Sequence, residues 1–586
     1  MIVIYDALQR QWLRFSQPTA VVTANHPSAI ASALDAVQRQ VDRGKYAAGF
    51  VAYEAASGCD PTLKTHPSTW QRNQAGSGDF PLLWFGIYGH PSVVSLPDAP
   101  QFSALQWRPS ISEADYQQAI ADIKTQIAQG NTYQVNFSFR LRAAMPDDPW
   151  GLFLQMTQAQ AADYGAFVDI GDWVIACASP ELFFSHDGDC VISRPMKGTA
   201  PRGITLRQDE QQGAWLRASE KNQAENAMIV DMVRHDLGRV ADIGSISVPS
   251  LFELERYPTV WHMTSTVQGR TSASTASVFR SLFPPASITG APKASTTAII
   301  AQLETTPRHI YTGTIGFMRP DGRSQFNVAI RTVLMDRRRK LAEYGVGGGI
   351  VWDSQDHDEY AECCAKAQVL HHYRPRFSLL ESLRWTPEEG YFLLERHLER
   401  LRQSAVYFGF PYPRQTIRRW LETIVSAQEI GEPQKVRLLL SADGHISGEA
   451  IALSPSNPLM ICLAQTPVSS SDIFLQHKTT HRQVYDIARQ NSPDAIEDVV
   501  LWNENGHVTE STLGNIVVEL GGQRYTPPLS CGLLPGTFRA HLLNKGALQE
   551  RIITHQELAE CDRIFVVNSV RGWQDAELVA VPPGPL

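Results

Sequence analysis

Several segments of the sequence place carboxylates, glycines and an amine at spacings that can support chemistry. Glu359 and Glu362 are three positions apart, so on a helix they share a face and can present oxygen ligands to one Mg²⁺. The run Gly347–Gly349 allows backbone N–H groups to approach an anionic ligand closely. Lys197 lies in a PMKGT loop, where a primary amine can act as a nucleophile in its neutral form. Taken singly, each feature also fits an ordinary role, such as a solvated helix face, a turn or a surface lysine.

The elements that must position these residues form a mixed pattern of strands and helices. Short strand-like runs lie in GFVAY, LLWFGIYG, YQVNFSFRLR, WVIACAS, CVISRP and QFNVAIRTVLM, and helix-like runs lie between them, as at 113–128 and 220–233. This mixture predicts an α+β fold with large antiparallel sheets. Farther along, helices are predicted at 394–407 and 536–548, with strands in KVRLLLS, DVVLWNE and NIVVEL, so this part is also α+β.

The clearest compositional boundary is HHYRPRFS, at 371–378. It follows a helix-like stretch at 359–370 and precedes a new strand-like run, LLESLRW. Pro375 disfavours helical geometry at Arg374, so a helix is not expected to continue through this point. The sequence thus predicts a domain at 1–372, a linker at 373–378 and a second domain at 379–586.

Composition narrows the class of protein. The 586 residues carry 52 Lys and Arg against 60 Asp and Glu, a net charge of −8, which argues against a nucleic-acid partner. The sequence contains no run of about 18 apolar residues, so no membrane span is predicted. The first residues also lack a signal-peptide pattern. The eight cysteines form no CxxC pair and no disulfide framework. We therefore expect a cytoplasmic enzyme with reduced thiols and no membrane partner.

Ordered blocks in the first part resemble the chorismate-utilising enzymes, the family of anthranilate, isochorismate, salicylate and aminodeoxychorismate synthases. The resemblance runs from about Trp107 to Leu370. It is carried by GNTYQVNFS, SPELF, PMKGT, AENAMIVDMVRHDLGRV, YPTVWHMTSTV, SITGAPK, IYTGTIG, VAIRT and GGGIV…EYAE. His235 and His309 depart from the residues usual in two of these blocks, at positions that carry no proposed chemistry. The resemblance implies chorismate as substrate and a chorismate-utilising enzyme fold.

Lys197 points to one branch of this family. Aminodeoxychorismate synthases carry lysine at the third position of the PxxGT loop, where enzymes like anthranilate synthase carry alanine. In the family mechanism this lysine attacks C2 of chorismate as the C4 hydroxyl leaves, after which ammonia adds at C4 and expels the lysine. The resemblance therefore implies 4-amino-4-deoxychorismate as the product. The open alternative is an enzyme that makes anthranilate.

Other site roles follow from the resemblance, position by position. Glu181 matches the acid that helps the hydroxyl leave, and His262 matches a histidine near the ring. Glu225 and Glu362 match Mg²⁺ ligands, and Glu359 matches a ligand that acts through water. The residues implied to hold the substrate are Tyr311 and Arg331 at the enolpyruvyl carboxylate, together with Thr289, Gly347, Gly348, Gly349 and Lys366.

The source of ammonia is expected to lie outside these domains. A triad-type glutaminase needs a nucleophilic cysteine in a GxCxGxQ-like context, and none of the eight cysteines has one. We therefore expect ammonia to come from solution or, preferentially, from a separate glutaminase subunit.

From LLESLRW onward the chain resembles the fold-type IV pyridoxal phosphate enzymes, which include branched-chain and D-amino-acid aminotransferases and 4-amino-4-deoxychorismate lyase. The matching blocks are ERHLERLRQSA, HKTTHRQVY, NENGHVTESTLGNIVVE and CGLLPGTFR. Lys478 matches the lysine that bonds to the cofactor, and Glu510 matches the acid paired with the pyridine nitrogen. The phosphate cradle and its supports are expected at Arg400, Thr512, Asn515, Gly536 and Thr537.

Together the two resemblances imply a role in folate biosynthesis. The first part would form aminodeoxychorismate, and the second would eliminate pyruvate from it to give 4-aminobenzoate. Relatives of the second family begin with a further strand and a DRGF-like turn that this chain lacks before LLESLRW. Two alternatives for the second part therefore remain open, a class IV aminotransferase and a non-catalytic interaction module. These relatives pair as dimers that share the site, so a homodimer through the second domain is also expected.

Overall fold

The structure, a computed structural model, describes residues 1–66, 80–100, 105–370, 375–426, 432–454 and 458–579. The chain divides into two compact units, one of Met1–Pro201 with Gly213–Arg374 and one of Arg202–Gln212 with Pro375–Leu586. Part of the linker predicted at 373–378 lies outside the described residues. Among the described helices, none combines the length and the apolar character that crossing a membrane requires.

The first unit is built on two large antiparallel sheets. Its strands are β1 Ile2–Asp6, β2 Gln11–Phe15, β3 Ala20–Ala24, β4 Tyr46–Val51, β5 Leu83–Tyr88, β6 Ser92–Val94, β7 Arg108–Pro109, β8 Gln134–Ala144, β9 Tyr164–Asp169, β10 Trp173–Ser179, β11 Leu182–Asp187, β12 Cys190–Arg194, β13 Met196–Pro201, β14 Ser247–Arg256, β15 Val260–Arg270, β16 Gly290–Ala291, β17 Thr314–Met318, β18 Ser324–Asn327, β19 Thr332–Asp336 and β20 Leu341–Ile350. One sheet has the order β16-β8-β20-β19-β10-β9-β1-β2-β6, with β7 beside β8. The other has the order β13-β15-β12-β11-β18-β17-β4-β5-β3, with β14 beside β15.

Helices cover these sheets and bury apolar side chains against them. Up to residue 370 the helices are α1 Ile30–Asp42, α2 Ala56–Cys59, α3 Glu113–Ala128, α4 Pro149–Gln160, α5 Leu206–Ala218, α6 Glu220–Gly238, α7 Thr275–Leu282, α8 Lys293–Leu303 and α9 Asp356–Ala367. One apolar cluster joins residues of both sheets, such as Phe15 and Phe326. A second cluster packs the sheet that contains β8 against α3, α4 and α9. The predicted α+β class with large antiparallel sheets is confirmed.

Local signals explain where several elements begin and end. The Ser112 side chain accepts a hydrogen bond from the N–H of Asp115, whose carboxylate accepts one from the N–H of Ser112, so α3 begins at Glu113 as predicted. The strand predicted through QFNVAIRTVLM is instead two strands, β18 and β19. Arg331 lies between them with φ 52°, a left-handed conformation that extended pairing cannot continue through.

The second unit combines a small sheet with a closed one. Its strands are β21 Leu379–Thr386, β22 Gly390–Tyr391, β23 Gln434–Leu440, β24 Ile446–Ala452, β25 Leu459–Leu463, β26 Asp498–Trp502, β27 Val508–Ser511, β28 Asn515–Leu520, β29 Gln523–Thr526, β30 Gln549–Glu550, β31 Arg563–Asn568 and β32 Gly572–Leu578. The small sheet has the order β22-β21-β23-β24. The larger one runs β27-β26-β25-β32-β31-β28-β29-β30, and it closes because β27 also pairs with β28.

The helices of the second unit flank both sheets. They are α10 Leu394–Phe408, α11 Arg414–Ser426, α12 Ile473–Gln476, α13 Gln483–Gln490, α14 Thr537–Asn544 and α15 His555–Glu560. Apolar residues of α10 and α11 pack against β21 and β23. The helix predicted at 536–548 is shorter, since α14 ends at Asn544 and Gly546 adopts φ 68°, a conformation typical of helix ends.

Candidate functional site

A cavity of about 370 Å³ in the first unit gathers most of the residues predicted from its sequence. It opens between strands β13, β15 and β20 and helices α6 and α9. The predicted residues that line it are Glu181, Lys197, Glu225, His262, Tyr311, Arg331, Gly347, Gly349, Glu359, Glu362 and Lys366. They come from segments far apart in the sequence, which the two sheets bring together.

Lys197 and Glu225 face each other in this cavity. Lys197 lies on β13, and its Nζ is 3.1 Å from Oε2 of Glu225 on α6. Helix α6 buries Glu225, Ile229 and Val233 on one face, so the acid is buried rather than solvated. The next residue, Asn226, donates to the backbone carbonyl of Lys197 at 3.1 Å and accepts from Ser265 at 2.6 Å. Sequence reasoning missed Asn226, although it stands beside Glu225 in a resemblance block.

Glu181 is buried beside the Lys197 loop. Its Oε1 accepts a hydrogen bond from Ser287 Oγ at 2.5 Å and one from the N–H of Met196 at 3.3 Å. Burial raises the pKa of Glu181 to about 7, although these hydrogen bonds act in the opposite direction. A carboxyl group with this pKa is partly protonated at neutral pH and can donate a proton. Ser287 was not among the predicted residues, although it begins the SITGAPK block.

His262 presents an unpartnered nitrogen in the same cavity. Its Nδ1 lies 3.1 Å from Thr199 Oγ, whereas its buried Nε2 has no hydrogen-bond partner. Burial, reinforced by the positive charges of Arg331 and Lys366, lowers the pKa of His262 to about 3. The imidazole is therefore neutral at physiological pH, so it can make hydrogen bonds but carries no charge.

The acids of α9 are held by neighbouring side chains. Glu359 Oε1 accepts from Ser354 Oγ at 2.7 Å, and burial raises the pKa of Glu359. Glu362 Oε1 lies 2.7 Å from Lys366 Nζ, and the charge of Lys366 lowers the pKa of Glu362 to about 2. Burial by itself lowers the pKa of Lys366. The negative charge of Glu362 has the larger effect, so the pKa of Lys366 is raised.

Glu225, Glu359 and Glu362 all line this cavity. Their carboxylates offer the oxygen donors that Mg²⁺ prefers. Within the described part of the chain, no three His, Cys, Asp or Glu residues already form a metal-binding group. Glu225 and Glu362 are each paired with a lysine instead. The donor set therefore fits a hard cation, and binding it would require both acids to exchange a lysine for the metal.

Tyr311 and Arg331 stand at the wall formed by β20. An ideal Cβ built on Gly345 would lie only 2.1 Å from the Tyr311 ring, so the glycine is what allows the ring to pack there. The Arg140 guanidinium lies over the same ring, 5.1 Å from its centroid. Arg331 donates to the backbone carbonyl of Lys366, so these two cationic residues of the cavity are in direct contact.

Two predicted residues are not brought to the cavity wall. Thr289 is fully buried, and its hydroxyl donates to the carbonyl of Pro285 at 2.8 Å. A Cβ on Gly348 would meet Glu359 Oε2 at 2.9 Å, so Gly348 backs onto this acid rather than lining the cavity. Neither residue lines the cavity in this arrangement, and their roles as substrate contacts remain predictions.

Gln134 is a polar residue that the sequence reasoning did not single out. Its side chain is fully buried, and neither its oxygen nor its nitrogen has a hydrogen-bond partner. An ideal Cβ on Gly349 would lie 2.3 Å from Gln134 Nε2 and 2.0 Å from Lys197 Nζ, so the three residues meet at one point. Burying an unpaired amide is costly, so Gln134 is a strained polar group directly behind Lys197.

A second cavity, of about 720 Å³, lies in the second unit. All of the residues predicted for the cofactor line it, namely Arg400, Lys478, Glu510, Thr512, Asn515, Gly536 and Thr537. Burial, with a smaller contribution from the charge of Arg400, lowers the pKa of Lys478 to about 8. This amine is therefore neutral more often than an ordinary lysine, as bond formation with an aldehyde requires.

A buried ionic network surrounds Arg400 and Thr537, two of the residues predicted to hold a phosphate. Arg400 donates to both oxygens of Glu381, at 2.9 and 2.6 Å, and also to the carbonyl of Pro535 at 3.2 Å. His397 Nδ1 lies 2.7 Å from Glu381, and its Nε2 lies 3.2 Å from the Thr537 hydroxyl. Glu381 therefore orients both the arginine and the threonine. Glu381 and His397 were not predicted, although His397 lies in the matching block ERHLERLRQSA.

The arrangement fits pyridoxal phosphate. Gly536 precedes the first turn of α14, and an ideal Cβ there would lie 1.9 Å from Asn515 Oδ1, so only glycine leaves the turn open. Backbone N–H groups at this helix start, with Arg400 and Thr537, form a cradle for a phosphate dianion. Glu510 is buried across the cavity, where burial raises its pKa to about 7.

Comparisons with known proteins match two separate segments of the chain to two different families. Residues 92–372 match the family model of the chorismate binding enzymes, and residues 378–579 match that of amino-transferase class IV. The first unit is also similar in fold to anthranilate synthase component I of Streptococcus pneumoniae, with a TM-score of 0.53 and 23% identity over 61% of this chain and 92% of that one.

Curated relatives of the first part carry two different names. Aminodeoxychorismate synthase component 1 of Salmonella typhimurium is 37% identical over 268 residues, 45% of this chain and 59% of that protein. An anthranilate synthase component 1 of Haloarcula marismortui is 37% identical over 314 residues, 53% of this chain and 61% of that protein. The chain thus spans about three fifths of the length of these relatives, and identity does not separate the two activities. The chain therefore contains a chorismate binding enzyme domain at residues 92–372 and an amino-transferase class IV domain at residues 378–579.

Proposed function

We propose that this chain converts chorismate and ammonia into 4-aminobenzoate in two steps, an amination followed by the loss of pyruvate. The observation that carries the proposal is the position of Lys197. Its amine lies in a cavity with the buried acid Glu181, which accepts a hydrogen bond from Met196, the residue next to Lys197. A nucleophile and a proton donor are thus held by the same short stretch of chain.

The first step uses both groups. Lys197 Nζ forms a bond to C2 of chorismate, both ring double bonds shift, and the C4 hydroxyl leaves as water with a proton from Glu181. Ammonia then bonds to C4, both double bonds shift back, the Lys197 amine leaves from C2, and the proton released in this half of the step returns to Glu181. The balance is chorismate plus ammonia giving 4-amino-4-deoxychorismate plus water, and both residues are regenerated.

The remaining residues of the first cavity hold the substrate. The guanidinium of Arg331 and the Tyr311 hydroxyl suit the enolpyruvyl carboxylate. Mg²⁺ bound by Glu225 and Glu362, with Glu359 nearby, would hold the ring carboxylate.

The second step would take place in the second cavity. Pyridoxal phosphate bound there supplies an electron sink that acidifies the C–H beside the substrate amine. Lys478 would hold the cofactor, and its amine, once free, would take the C4 proton of aminodeoxychorismate. Loss of pyruvate makes the ring aromatic, which provides a large driving force. Glu510 would pair with the pyridine nitrogen, and Arg400 with Thr537 would hold the phosphate.

Ammonia supply completes the proposal. The described cysteines include Cys177 and Cys363, where burial raises the pKa of each thiol to about 11. Such thiols are poor nucleophiles. We propose that a separate glutaminase subunit supplies ammonia, that the chain acts in the cytoplasm, and that it pairs as a homodimer through its second unit.

Product analysis tests the proposal directly. The purified chain is incubated with chorismate, Mg²⁺ and ammonium, with and without pyridoxal phosphate, and the products are separated by chromatography. We expect 4-aminobenzoate with the cofactor and aminodeoxychorismate without it. Formation of fluorescent anthranilate would instead show that the first part is an anthranilate synthase, the activity named for one of its relatives. Formation of aminodeoxychorismate alone under both conditions would favour an aminotransferase or a non-catalytic second unit.

A further inference from the structure

Two hydrogen-bond donors converge on one oxygen of Glu510. The Tyr485 hydroxyl donates to Oε1 at 2.7 Å, and the N–H of Leu534 donates to the same atom at 3.1 Å. The other oxygen, Oε2, receives only a long contact of 3.4 Å from Asn515. Glu510 and Tyr485 both line the 720 Å³ cavity. The carboxylate is thus held with Oε1 saturated and Oε2 available.

Tyr485 is itself held firmly. It lies on α13, and its ring is buried in an apolar cluster with Leu475, Val499 and Leu501. The Arg482 guanidinium lies 4.5 Å from the ring centroid and donates to the carbonyl of Thr512 at 2.6 Å. Burial and the negative charge of Glu510 raise the pKa of Tyr485 well above its ordinary value. The phenol therefore stays protonated and acts as the donor.

We propose that Tyr485 is a positioning residue that keeps Glu510 oriented and ionised, so that Oε2 faces the pyridine nitrogen of pyridoxal phosphate. The inference rests on the proposed binding of that cofactor in this cavity. A donor at Oε1 stabilises the carboxylate form, and an ionised Glu510 in turn keeps the pyridine nitrogen protonated. Removing the hydroxyl leaves Glu510 buried with less stabilisation of its charge, so the acid takes up a proton and the pyridine nitrogen loses its partner.

The test is Tyr485→Phe in the full chain, loaded with pyridoxal phosphate labelled with ¹⁵N in the ring. The ¹⁵N chemical shift reports directly whether the pyridine nitrogen is protonated. We expect the signal of Y485F to move toward the unprotonated position, as it should in Glu510→Gln. Cofactor affinity, measured by absorbance titration, should change by less than about threefold because the phosphate cradle is intact. Tyr391→Phe is the matched control, since Tyr391 donates to the Leu421 carbonyl at 2.7 Å and does not line the cavity.

Arg482→Gln is a second variant in case Y485F does not fold. It keeps the phenol but removes the cation over its ring, and it should shift the ¹⁵N signal in the same direction by a smaller amount. A wild-type ¹⁵N signal in folded Y485F overturns the proposal, and so does a wild-type chain that does not bind the cofactor. These measurements need no turnover. A chain that binds the cofactor with the expected ¹⁵N response, yet releases no pyruvate from aminodeoxychorismate, supports Tyr485 and refutes the proposed lyase step.

Discussion

The amine of Lys197 lies 3.1 Å from the carboxylate of Glu225, so the proposed nucleophile and a proposed Mg²⁺ ligand are ion-paired. The same pattern recurs at Lys366 and Glu362, 2.7 Å apart. A cation that binds the two acids would separate them from the two lysines. Binding of the metal is thereby linked to release of the Lys197 amine toward the substrate.

Replacement of Lys197 by alanine should separate binding from chemistry. Since a covalent nucleophile acts in the transition state, kcat for amination should fall at least ~100-fold while chorismate affinity stays within about threefold. Stopped-flow binding and steady-state amination measure the two quantities. Lys124→Ala, on α3, is the control. Amination at the wild-type rate by K197A would remove the covalent mechanism.

Glu181 should give the amination rate a descending limb as pH rises. Its pKa is raised from 4.5 to about 7, so the protonated form that can donate to the leaving hydroxyl prevails below pH 7 and is lost above it. The rate should then fall about tenfold per pH unit, measured at a constant concentration of free ammonia. Glu181→Gln should lower kcat by roughly 10²–10⁴ and abolish this limb. A limb that persists in E181Q would assign it to another group.

Mg²⁺ dependence should reside in the carboxylates of α6 and α9. Loss of a group that only orients a metal ligand typically costs about 10–100-fold in metal affinity, so Glu225→Gln or Glu362→Gln should cost at least that much. Titration of amination with Mg²⁺ after treatment with a chelator gives the apparent affinity. Glu343→Gln is the control, since Glu343 pairs with Arg142 at 2.8 Å and does not line the cavity. Unchanged Mg²⁺ dependence in both variants would place the metal elsewhere.

Gly345→Ala should disturb the substrate site through Tyr311. The added methyl would lie 2.1 Å from the ring, and such overpacking typically costs about 1–3 kcal/mol. We expect a lower melting temperature and a raised KM for chorismate, because the ring must move. Gly89→Ala is the matched control, since a Cβ there meets nothing within 4 Å. If G345A keeps the wild-type KM, Tyr311 does not contact the substrate.

Lys478→Ala should disconnect the two steps. The variant should lack the visible absorbance of the lysine-bound cofactor and should accumulate aminodeoxychorismate, which an added lyase then converts. In the wild type, capture of pyridoxal phosphate should speed up as pH rises through about 8, because burial lowers the pKa of Lys478 to that value and the neutral amine is the reactive form. Lys545→Ala serves as the control. Undiminished 4-aminobenzoate formation by K478A would refute the assignment.

Local sequence patterns were sufficient for many of the elements and for the choice of site residues. The cap at Ser112 and the strand-like runs depend on neighbours within a few positions, so α3 and most of the predicted strands appear where expected. The resemblance blocks likewise pointed to Lys197, Glu181, Lys478 and Glu510, because each block contains its own functional residue. All of these line the two cavities.

The contacts that tune those residues depend on tertiary structure. Glu181 meets Ser287 across 106 positions, and Arg400 meets Glu381 across the space between α10 and β21. The turn at Arg331 replaces a predicted continuous strand because packing stabilises a left-handed residue there. Tyr485 and Glu510 are 25 positions apart, and no periodicity in the sequence relates them. Residue types and short spacings were thus readable from the sequence alone, whereas burial, pairing and protonation follow from which distant segments the sheets bring together.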